Sequence, residues 1–427
     1  MRKVILRHNC YLSPFNEPAR DLRVHNKPLW LHQRDLLAPY ATEEREVPSG
    51  QFTDVPSDPV EQVVYRDNLF FDEGYLTAFL TEAIKSGRPR RAAFAKTNKA
   101  FTQHALPLAQ GYTQYDDLYL ADLWYFPNGP VNHTEPLVID FQEREIGYYR
   151  IPTYMATEKG QLTFQVPLRS CLSIESWVHI FIADAIFGLF SRGARVEARI
   201  ENDLMFKLQV LWQALLEQRQ VLSSSRLVTV GRNCSINPSA VILGPTSIGD
   251  NVNIEAGVVI DNCIIGNNTT ISQGCQLMLS VVGDGCFLPF RAALYLTTLM
   301  DHTMVAQNTC LQMCVVGRNT FIGAGNTFTD YNLIPAPLRA LAGDGSLAEA
   351  GRPVLGGSVG HNCRIGSGLI IYPARTIESD VVLFASPERR VISKNVIYEE
   401  SDHHKLKDAS KHPRLYPRLG EEVRESW

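Results

Sequence analysis

Three consecutive stretches of 17 residues decide the fold: IGNNTTISQGCQLMLSV (265–281), VGDGCFLPFRAALYLTT (282–298) and LMDHTMVAQNTCLQMCV (299–315). Each begins with an aliphatic residue and carries two more, six and twelve positions later, so that it divides into two hexads and a pentad. Written beneath one another, the stretches align their aliphatic residues in three columns. A repeat of this length indicates a solenoid in which each coil of chain stacks on the coil before it.

The columns continue in both directions from these stretches. The further aliphatic or aromatic positions are Val230, Ile236, Ile242, Ile248, Ile254, Ile260, Val316, Ile322 and Phe328. A second inward residue, small or β-branched, is predicted four positions after each, and in the pentads it is Ile264, Val281, Thr298 and Val315. Gly, Asn and Asp follow the aliphatic positions, and they tolerate tight turns. The sequence therefore predicts a left-handed parallel β-helix of about 17 residues per coil, with Ile271, Leu288, Val305 and Ile322 in one internal column.

The rest of the chain divides around this repeat. Residues 1–150 have an α/β pattern, with strands at Lys3–Leu6, Gln62–Tyr65 and Leu137–Ile139 and a helix at Glu73–Ser86. Residues 151–225 are predicted to be a helical connector, and residues 226–395 the β-helix. A loop at 331–357, with a short helix, interrupts the β-helix before the hexads resume at Val359. Residues 396–427 are predicted to be a solvated, partly ordered C-terminal tail.

Composition excludes several classes of protein. The formal net charge of the 427 residues is −4, which implies no general attraction to nucleic acid or to an anionic membrane. The N-terminus has no signal-peptide core, and the apolar stretch from Trp177 to Phe190 is too short to span a bilayer. The nine cysteines form no Cys-x-x-Cys pair and no zinc spacing. We therefore expect reduced thiols in a cytoplasmic protein without a membrane span.

Two segments of the N-terminal half resemble nucleotidyltransferase motifs. Residues 20–29, RDLRVHNKPL, are similar to the later part of the nucleotidyltransferase signature, and residues 65–71, YRDNLFF, are similar to its Gly-Asp-Asn segment. Together with the β-helix, they make the domain plan of the chain resemble that of the bifunctional N-acetylglucosamine-1-phosphate uridyltransferase family and of related sugar nucleotidyltransferases. The chain departs from that family before Arg20, because no Gly-x-Gly-Thr-Arg loop is present to wrap a nucleotide phosphate.

The resemblance implies roles for residues of the first domain. Asp67 would hold a catalytic Mg²⁺, while Arg20, Arg23 and Lys27 would neutralise phosphate charge during attack of a sugar phosphate on a nucleoside triphosphate. The alternative is that Asp67 lies in a strand-end turn, that the basic residues face solvent, and that the domain is a diverged nucleotide-binding body.

The β-helix offers a second set of candidates at its corners. One corner reads Gly266-Asn-Asn, Gly283-Asp-Gly, Met300-Asp-His302 and Gly317-Arg-Asn on successive coils. Hexapeptide-repeat acyltransferases use a histidine as general base and bind acyl-coenzyme A between subunits. His302, adjoined by Asp301, fits that role because imidazole titrates near neutral pH. His361 is the rival base, and both histidines are otherwise turn or interface residues.

The next corner stacks Gly274, Arg291, Asn308 and Gly325. Arg291 is predicted to grip a phosphate or carboxylate, and Asn308 to orient an acceptor. We therefore expect a cytoplasmic homotrimeric transferase that binds a sugar phosphate or nucleotide sugar and transfers a nucleotidyl group, an acyl group, or both, with Mg²⁺ and acyl-coenzyme A as cofactor and co-substrate. The alternative, of a different class, is a non-catalytic trimeric scaffold with a degenerate N-terminal domain.

Overall fold

A computed structural model describes residues 1–152, 160–218, 220–333, 336–406 and 412–421. The chain divides into two compact units. The first unit comprises Met1–Leu12, Glu17–Ala183 and Leu341–Gly351, and the second comprises Ser13–Asn16, Asp184–Ala340 and Arg352–Trp427. The helices predicted to form a connector are thus shared between the two units, and part of the inserted segment belongs to the first.

The first unit is built on a seven-stranded mixed sheet. From edge to edge its strands are Glu135–Val138, Arg90–Ala95, Leu118–Phe126, Gln62–Arg66, Arg2–Leu6 and Glu43–Val47, with Thr113–Tyr115 paired to Leu118–Phe126. Arg2–Leu6 runs parallel to both of its neighbours, whereas Leu118–Phe126 is antiparallel to the strands beside it. Because the central strands are apolar and buried, the sheet forms the core of this unit.

Helices and smaller strand pairs surround that sheet. The helix Glu73–Ser86 has the bounds predicted from sequence, because the Asp72 side chain accepts a hydrogen bond from the Tyr75 amide at its start and Gly87, at φ 60°, ends it. The other helical segments are Ala19–Asp21, Leu29–Leu37, Phe52–Asp54, Phe101–Ala105 and Trp177–Phe181. The small strand pairs are Tyr11–Leu12 with Glu17–Pro18, Arg23–Val24 with Lys27–Pro28, Leu69–Phe71 with Cys171–Ser173, and Arg144–Ile151 with Gly160–Val166.

The second unit contains the predicted left-handed parallel β-helix, a prism with three walls of eight parallel strands each. The first wall consists of Val228–Val230, Thr246–Ile248, Ile264–Ile265, Val281–Val282, Thr298–Leu299, Val315–Val316, Ser358–Val359 and Thr376–Ile377. The second wall consists of Ser235–Ile236, Asn253–Ile254, Thr270–Ile271, Phe287–Leu288, Met304–Val305, Phe321–Ile322, Arg364–Ile365 and Val382–Leu383. The third consists of Val241–Leu243, Val259–Asp261, Gln276–Met278, Ala293–Tyr295, Cys310–Gln312, Thr327–Phe328, Ile370–Ile371 and Val391–Ile392.

The register of the walls confirms the predicted internal column. Ile271 pairs with Leu288, Val305 pairs with Ile322, and all four are fully buried in the second wall. In the first coil the spacing is one residue longer than the predicted 17, because Val230 pairs with Ile248, 18 positions later. The 17-residue spacing holds from Ile248 onward, until the inserted segment separates Val316 from its partner Val359.

The second inward column differs from the prediction in the pentads. There the small residue inside the prism comes three positions after the aliphatic residue, not four, and these buried residues are Cys263, Ser280, Thr297 and Cys314. The predicted residues of this column adjoin inward-facing residues in their strands and therefore face outward. Thr298 shows this directly, because its Oγ1 donates a hydrogen bond to Asp184 Oδ2 at 2.7 Å. The pentad side is one residue shorter, so its inner position moves by one.

The remaining segments of the second unit lie along and below the prism. The helical segments are Ile182–Phe190, which begins in the first unit, then Ser191–Asn202, Leu204–Leu216, Val221–Ser223, Ser225–Leu227, Tyr398–Glu400 and Asp402–Lys405. In the inserted segment the described residues form a short strand pair, Arg339–Leu341 with Leu347–Glu349, and not the predicted short helix. The tail was predicted to be solvated, but Tyr416 and Arg418 bind the prism corner through Asp380 and Glu378.

The apolar helix that begins at Trp177 is longer than the stretch considered in the sequence. Trp177–Asn202 is continuous over 26 residues, so by length and composition it is long enough to cross a membrane, although the Trp177–Phe190 stretch alone is not. Within this protein, 89% of its most apolar 18-residue window is buried. Such burial is typical of the core helices of globular proteins.

Candidate functional site

A cavity of about 530 Å³ opens in the first unit at the carboxyl ends of the parallel strands Arg2–Leu6, Glu43–Val47 and Gln62–Arg66. The residues that follow these strands form its lining, together with side chains from the neighbouring strands of the sheet. They include Arg7, His8, Ser49, Gly50, Phe52, Arg66, Arg91, Asp122 and Trp124. This edge of an open α/β sheet is where ligands commonly bind.

The charge of this cavity is dominated by arginine, and we call it the arginine cavity. Asp122 holds two of its three arginines in place, because Arg66 Nε lies 2.6 Å from Asp122 Oδ2 and Arg91 donates to Asp122 Oδ1 at 2.9 Å. Burial lowers the pKa of Arg91, an effect opposed by Asp122. Arg66 and Arg91 share the carboxylate of Asp122, and Arg7 lies 3.6 Å from Glu46 and 3.7 Å from Asp67, neither of which lines the cavity. The lining residues themselves therefore carry more positive than negative charge, which suits an anionic ligand.

An aromatic wall borders the arginines. The Arg91 guanidinium lies over the Trp124 ring at 4.8 Å, and the Phe52 ring packs against Trp124 with centroids 5.0 Å apart. Planar ligands and sugar faces pack well on such rings. The arrangement can therefore combine phosphate recognition with stacking.

A second cavity of about 280 Å³ shares His8, Arg66 and Asp122 with the first, and we call it the inner cavity. Its lining also contains Asn68 and Glu175. Among the described residues that line the inner cavity, His8 and Asn68 each have a buried side-chain atom without a hydrogen-bond partner, Nδ1 in His8 and Oδ1 in Asn68. Desolvation lowers the pKa of His8, which keeps its imidazole neutral near pH 7. These two atoms are thus available to polar groups of a ligand.

The predicted residues Asp67 and Arg20 lie together, but outside the lining of both cavities. Asp67 Oδ1 accepts a hydrogen bond from the His8 amide at 2.8 Å, and Arg20 Nη1 lies 3.4 Å from Asp67 Oδ2. Burial raises the pKa of Asp67 to about 6, against the effect of the His8 amide and Arg20. A carboxylate enclosed by donors and cations does not fit Mg²⁺, which needs free oxygen ligands. No group of three metal-binding side chains occurs in the described part of the chain. The Mg²⁺-binding role of Asp67 stays a prediction.

The other two predicted basic residues are separate from these cavities. Lys27 is exposed and pairs with Asp35 at 3.0 Å, and Arg23 is half-buried in the adjoining strand pair. Neither side chain lines the arginine cavity or the inner cavity. The phosphate-binding role predicted for them remains untested.

In the second unit, a ladder of hydrogen bonds follows the corner after the first wall. Except where Arg318 occupies this position, the side chain of the middle residue in a turn accepts a hydrogen bond from the backbone N–H of the middle residue in the turn of the preceding coil. The acceptors are Asp250, Asn267, Asp284, Asp301, His361 and Ser379, at 2.7–3.1 Å. The preceding glycine leaves room for the acceptor, because a Cβ on Gly266 would lie 2.5 Å from Asp284 Oδ1. We call this series the corner ladder.

Two predicted catalytic residues belong to the corner ladder. Asp301 Oδ1 accepts from the Asp284 amide at 3.1 Å. His361 is fully buried, and its Nδ1 accepts from the Arg318 amide at 2.8 Å, so its proton is on Nε2. Its ring packs against Phe15 and Tyr416. Both residues therefore have a structural role, which the Gly-x-Asn pattern alone did not reveal.

His302 occupies the third position of its turn and is exposed. Its backbone is left-handed, at φ 57°, where other coils place Asn251, Asn268 and Asn319. Its ring lies over the preceding coil, because a Cβ on Gly285 would be 2.4 Å from the His302 Nδ1 atom. Because Gly285 has no side chain, the imidazole ring of His302 can lie against the backbone of the preceding coil at the surface of the prism.

Arg291 and Asn308 take the equivalent left-handed position at the corner after the second wall, at φ 62° and 55°, and both are exposed. They lie on adjacent coils, as predicted from the 17-residue spacing. Exposed side chains at such turns are free to meet a ligand or another subunit.

The arginine cavity was not predicted from the sequence. Its residues come from different strands, so their proximity depends on the order of strands in the sheet. One signal was present, because Asp122 interrupts the apolar strand LYLADLWYF, and a charged residue in a buried strand needs a partner. Arg91, at the start of the apolar segment RRAAFA, is that partner.

Known proteins resemble the chain over part of its length. The Bacterial transferase hexapeptide (six repeats) family matches residues 228–262. The Bifunctional protein GlmU of Geotalea uraniireducens is 28% identical over 204 residues, which cover 43% of this chain and 43% of that protein. The predicted resemblance to hexapeptide-repeat sugar nucleotidyltransferases is confirmed. The Bifunctional protein GlmU of Pelobacter propionicus is 27% identical over 255 residues, 53% of this chain and 50% of that protein.

The hexapeptide-repeat chain therefore spans about half the length of the curated relatives it matches. Among solved structures, UDP-N-acetylglucosamine acyltransferase from Campylobacter jejuni is 17% identical and has a TM-score of 0.27, over 38% of this chain and 69% of that one. A similarity at that level does not bear on function.

Proposed function

We propose that the chain is a transferase acting on a sugar phosphate or a nucleotide sugar, and that its first unit binds the phosphate-bearing substrate in the arginine cavity. The observation that carries the proposal is the convergence of three arginines on one cavity: Arg7 and Arg66 at the carboxyl ends of parallel strands, and Arg91 near the start of the strand Arg90–Ala95. The similarity to the Bifunctional protein GlmU of several bacteria supports the same class of chemistry.

In this proposal the two cavities have complementary tasks. The arginines bind phosphate oxygens, with Asp122 orienting Arg66 and Arg91, and the Trp124 ring packs against a planar or sugar face. The neutral His8 ring and the Asn68 carboxamide meet the hydroxyl groups of the sugar in the inner cavity. This arrangement replaces the absent glycine-rich loop with side-chain donors.

A thermal-shift panel tests binding. We expect nucleotide sugars or sugar phosphates, with and without Mg²⁺, to raise the unfolding temperature of the first unit, and Arg91→Gln to abolish that rise. Arg88→Gln is the matched control, because Arg88 is exposed, with 67% of its side chain accessible, and pairs only with Glu135 among the ion pairs of the described residues. A panel without any response, coenzyme A included, would favour the scaffold alternative. An equal response of both variants would exclude the arginine cavity.

The exposed imidazole of His302 supports a second activity, acyl transfer at the prism surface. In this proposal the His302 ring removes a proton from the acceptor, acyl-coenzyme A is the donor, and Arg291 and Asn308 contact substrate across the subunits of a cytoplasmic homotrimer. His302→Asn is the sharpest variant, because asparagine already occupies the same left-handed position in neighbouring coils. We expect it to abolish acyl transfer without lowering the unfolding temperature. Retained acyl transfer in that variant would contradict a role for His302.

A further inference from the structure

The helix Leu204–Leu216 of the second unit is apolar on two opposite faces. Asp203 caps its start by accepting a hydrogen bond from the Phe206 amide. One face is buried beneath the prism, where its residues and their neighbours form a small hydrophobic cluster of Phe206, Val210, Leu227, Val196 and Ile200. This face fixes the orientation of the helix, so the direction of the opposite face is fixed as well.

The opposite face presents an uninterrupted apolar surface to solvent. Its large side chains are between 43% and 71% exposed, and they are Leu204, Met205, Leu208, Leu211, Trp212, Leu215 and Leu216. An apolar patch of this extent is rare on a protein surface that has no partner. A helix that is apolar all round is normally buried on every side.

The spacing of the leucines indicates what covers this face. Leu204, Leu208, Leu211 and Leu215 are separated by four, three and four residues, which is the alternation of a coiled-coil seam. Side chains at this spacing point along one line of the helix and interlock with an identical line on another helix. We call these four residues the leucine seam.

The size and charge of the surface favour a second copy of the chain over a membrane. The exposed apolar side chains offer on the order of 700–800 Å², close to one partner's share of a standard protein interface. A membrane-surface helix carries basic residues along its polar face. This helix has Lys207 as its only charged residue, and the face opposite the seam is buried in the protein.

We propose that the leucine seam binds the same helix of another copy of this chain. The contact is independent of the proposed transferase function, and it brings two prisms together through their helical base. Leu211 lies next to the midpoint of the helix, so it approaches its own counterpart whether the two helices run parallel or antiparallel. Self-pairing of an identical surface is the usual form of contact between copies.

Cysteine cross-linking in solution tests this pairing. In the full chain carrying Cys10→Ser, which removes the exposed native thiol, Leu211→Cys is treated with a short bis-maleimide, and dimeric product is measured. We expect strong cross-linking of Leu211→Cys and little of the control Gln209→Cys, which is on the same helix but outside the seam. Adding Leu208→Glu to the Leu211→Cys chain should reduce the product about tenfold or more, because the pair would bury two unpaired carboxylates.

The results of this experiment distinguish between a second copy of the chain and a lipid surface as the partner of this face. Leu211→Cys that cross-links no more than Gln209→Cys overturns the proposal. Sedimentation with phospholipid vesicles in the absence of cross-linking assigns the face to a lipid surface and also overturns it. Circular dichroism of each variant, matched to that of the parent chain, shows that a lost cross-link does not come from unfolding.

Discussion

Replacing Asp67 by asparagine tests whether this carboxylate is a buried structural group. In the folded chain its pKa is about 6, against 3.8 for an unperturbed aspartate, and the main cause is burial. The folded state therefore binds a proton that the unfolded state lacks between these two pH values. The difference of about two pKa units corresponds to about 3 kcal/mol.

The sign of the effect follows from that difference. Above pH 6 the ionised Asp67 lowers stability, and as the pH falls from 7 toward 4 its protonation in the folded state removes the penalty. Asparagine does not titrate. We therefore expect the stability of the natural chain, measured relative to Asp67→Asn, to rise by up to about 3 kcal/mol over this range.

Urea unfolding followed by tryptophan fluorescence measures this difference. Three of the five tryptophans, Trp30, Trp124 and Trp177, are in the first unit, so the signal reports mainly on the unit that contains Asp67. Other titrating groups, such as His8, change the free energy of unfolding equally in both chains, so their contribution cancels in the difference. Asp35→Asn is the control, because the pKa of exposed Asp35 is lowered by Lys27. The reasoning would be refuted if the difference in unfolding free energy between the two chains does not change with pH. It would also be refuted if the natural chain loses stability on acidification relative to Asp67→Asn.

Three further predictions concern the prism. Leu288→Ala should cost about 3–5 kcal/mol in urea unfolding, whereas Phe287→Ala, on the same strand but 41% exposed, should cost less than about 1 kcal/mol. Gly266→Ala should cost about 1–3 kcal/mol by the same measurement, because the new Cβ would lie 2.5 Å from Asp284 Oδ1. His361→Ala should cost about 1–3 kcal/mol by removing the acceptor of a buried amide, and His361→Asn should restore most of that stability; equal losses would contradict the corner ladder.

The fold of the second unit was predictable because a prism is specified locally. Whether a residue faces inward depends on its place within a six-residue side, so Ile271 and Leu288 were assigned correctly from spacing alone. The exception arose in the pentads, where the series of Cys263, Ser280, Thr297 and Cys314 also repeats every 17 residues. Choosing between that series and its neighbour required the backbone of the shorter side.

The first unit was less predictable because its cavity depends on long-range order. The resemblance gave Asp67 and Arg20 roles in one reaction; their side chains lie 3.4 Å apart, and those roles stay predictions. Arg7 and Arg66 follow or end adjacent parallel strands, but Arg91 enters the same cavity from a strand whose neighbour is antiparallel. No periodicity in the sequence specifies that order of strands, so the cationic lining could be recognised only in the assembled sheet.

Position within the corner turn determines which histidine is exposed at the surface of the prism. The middle residue directs its acceptor toward the preceding coil, which buries His361 and occupies Asp301 Oδ1. The third residue, in the left-handed conformation, directs its side chain outward, and His302 is the imidazole in that place. Met300 replaces the usual glycine in this turn, and Arg318, which has no acceptor atom, occupies the middle position of the next coil. The ladder is therefore interrupted just above His302. If His302 acts as a base, Asp301 Oδ1 is not available to orient its ring, because this oxygen accepts a hydrogen bond from the Asp284 amide.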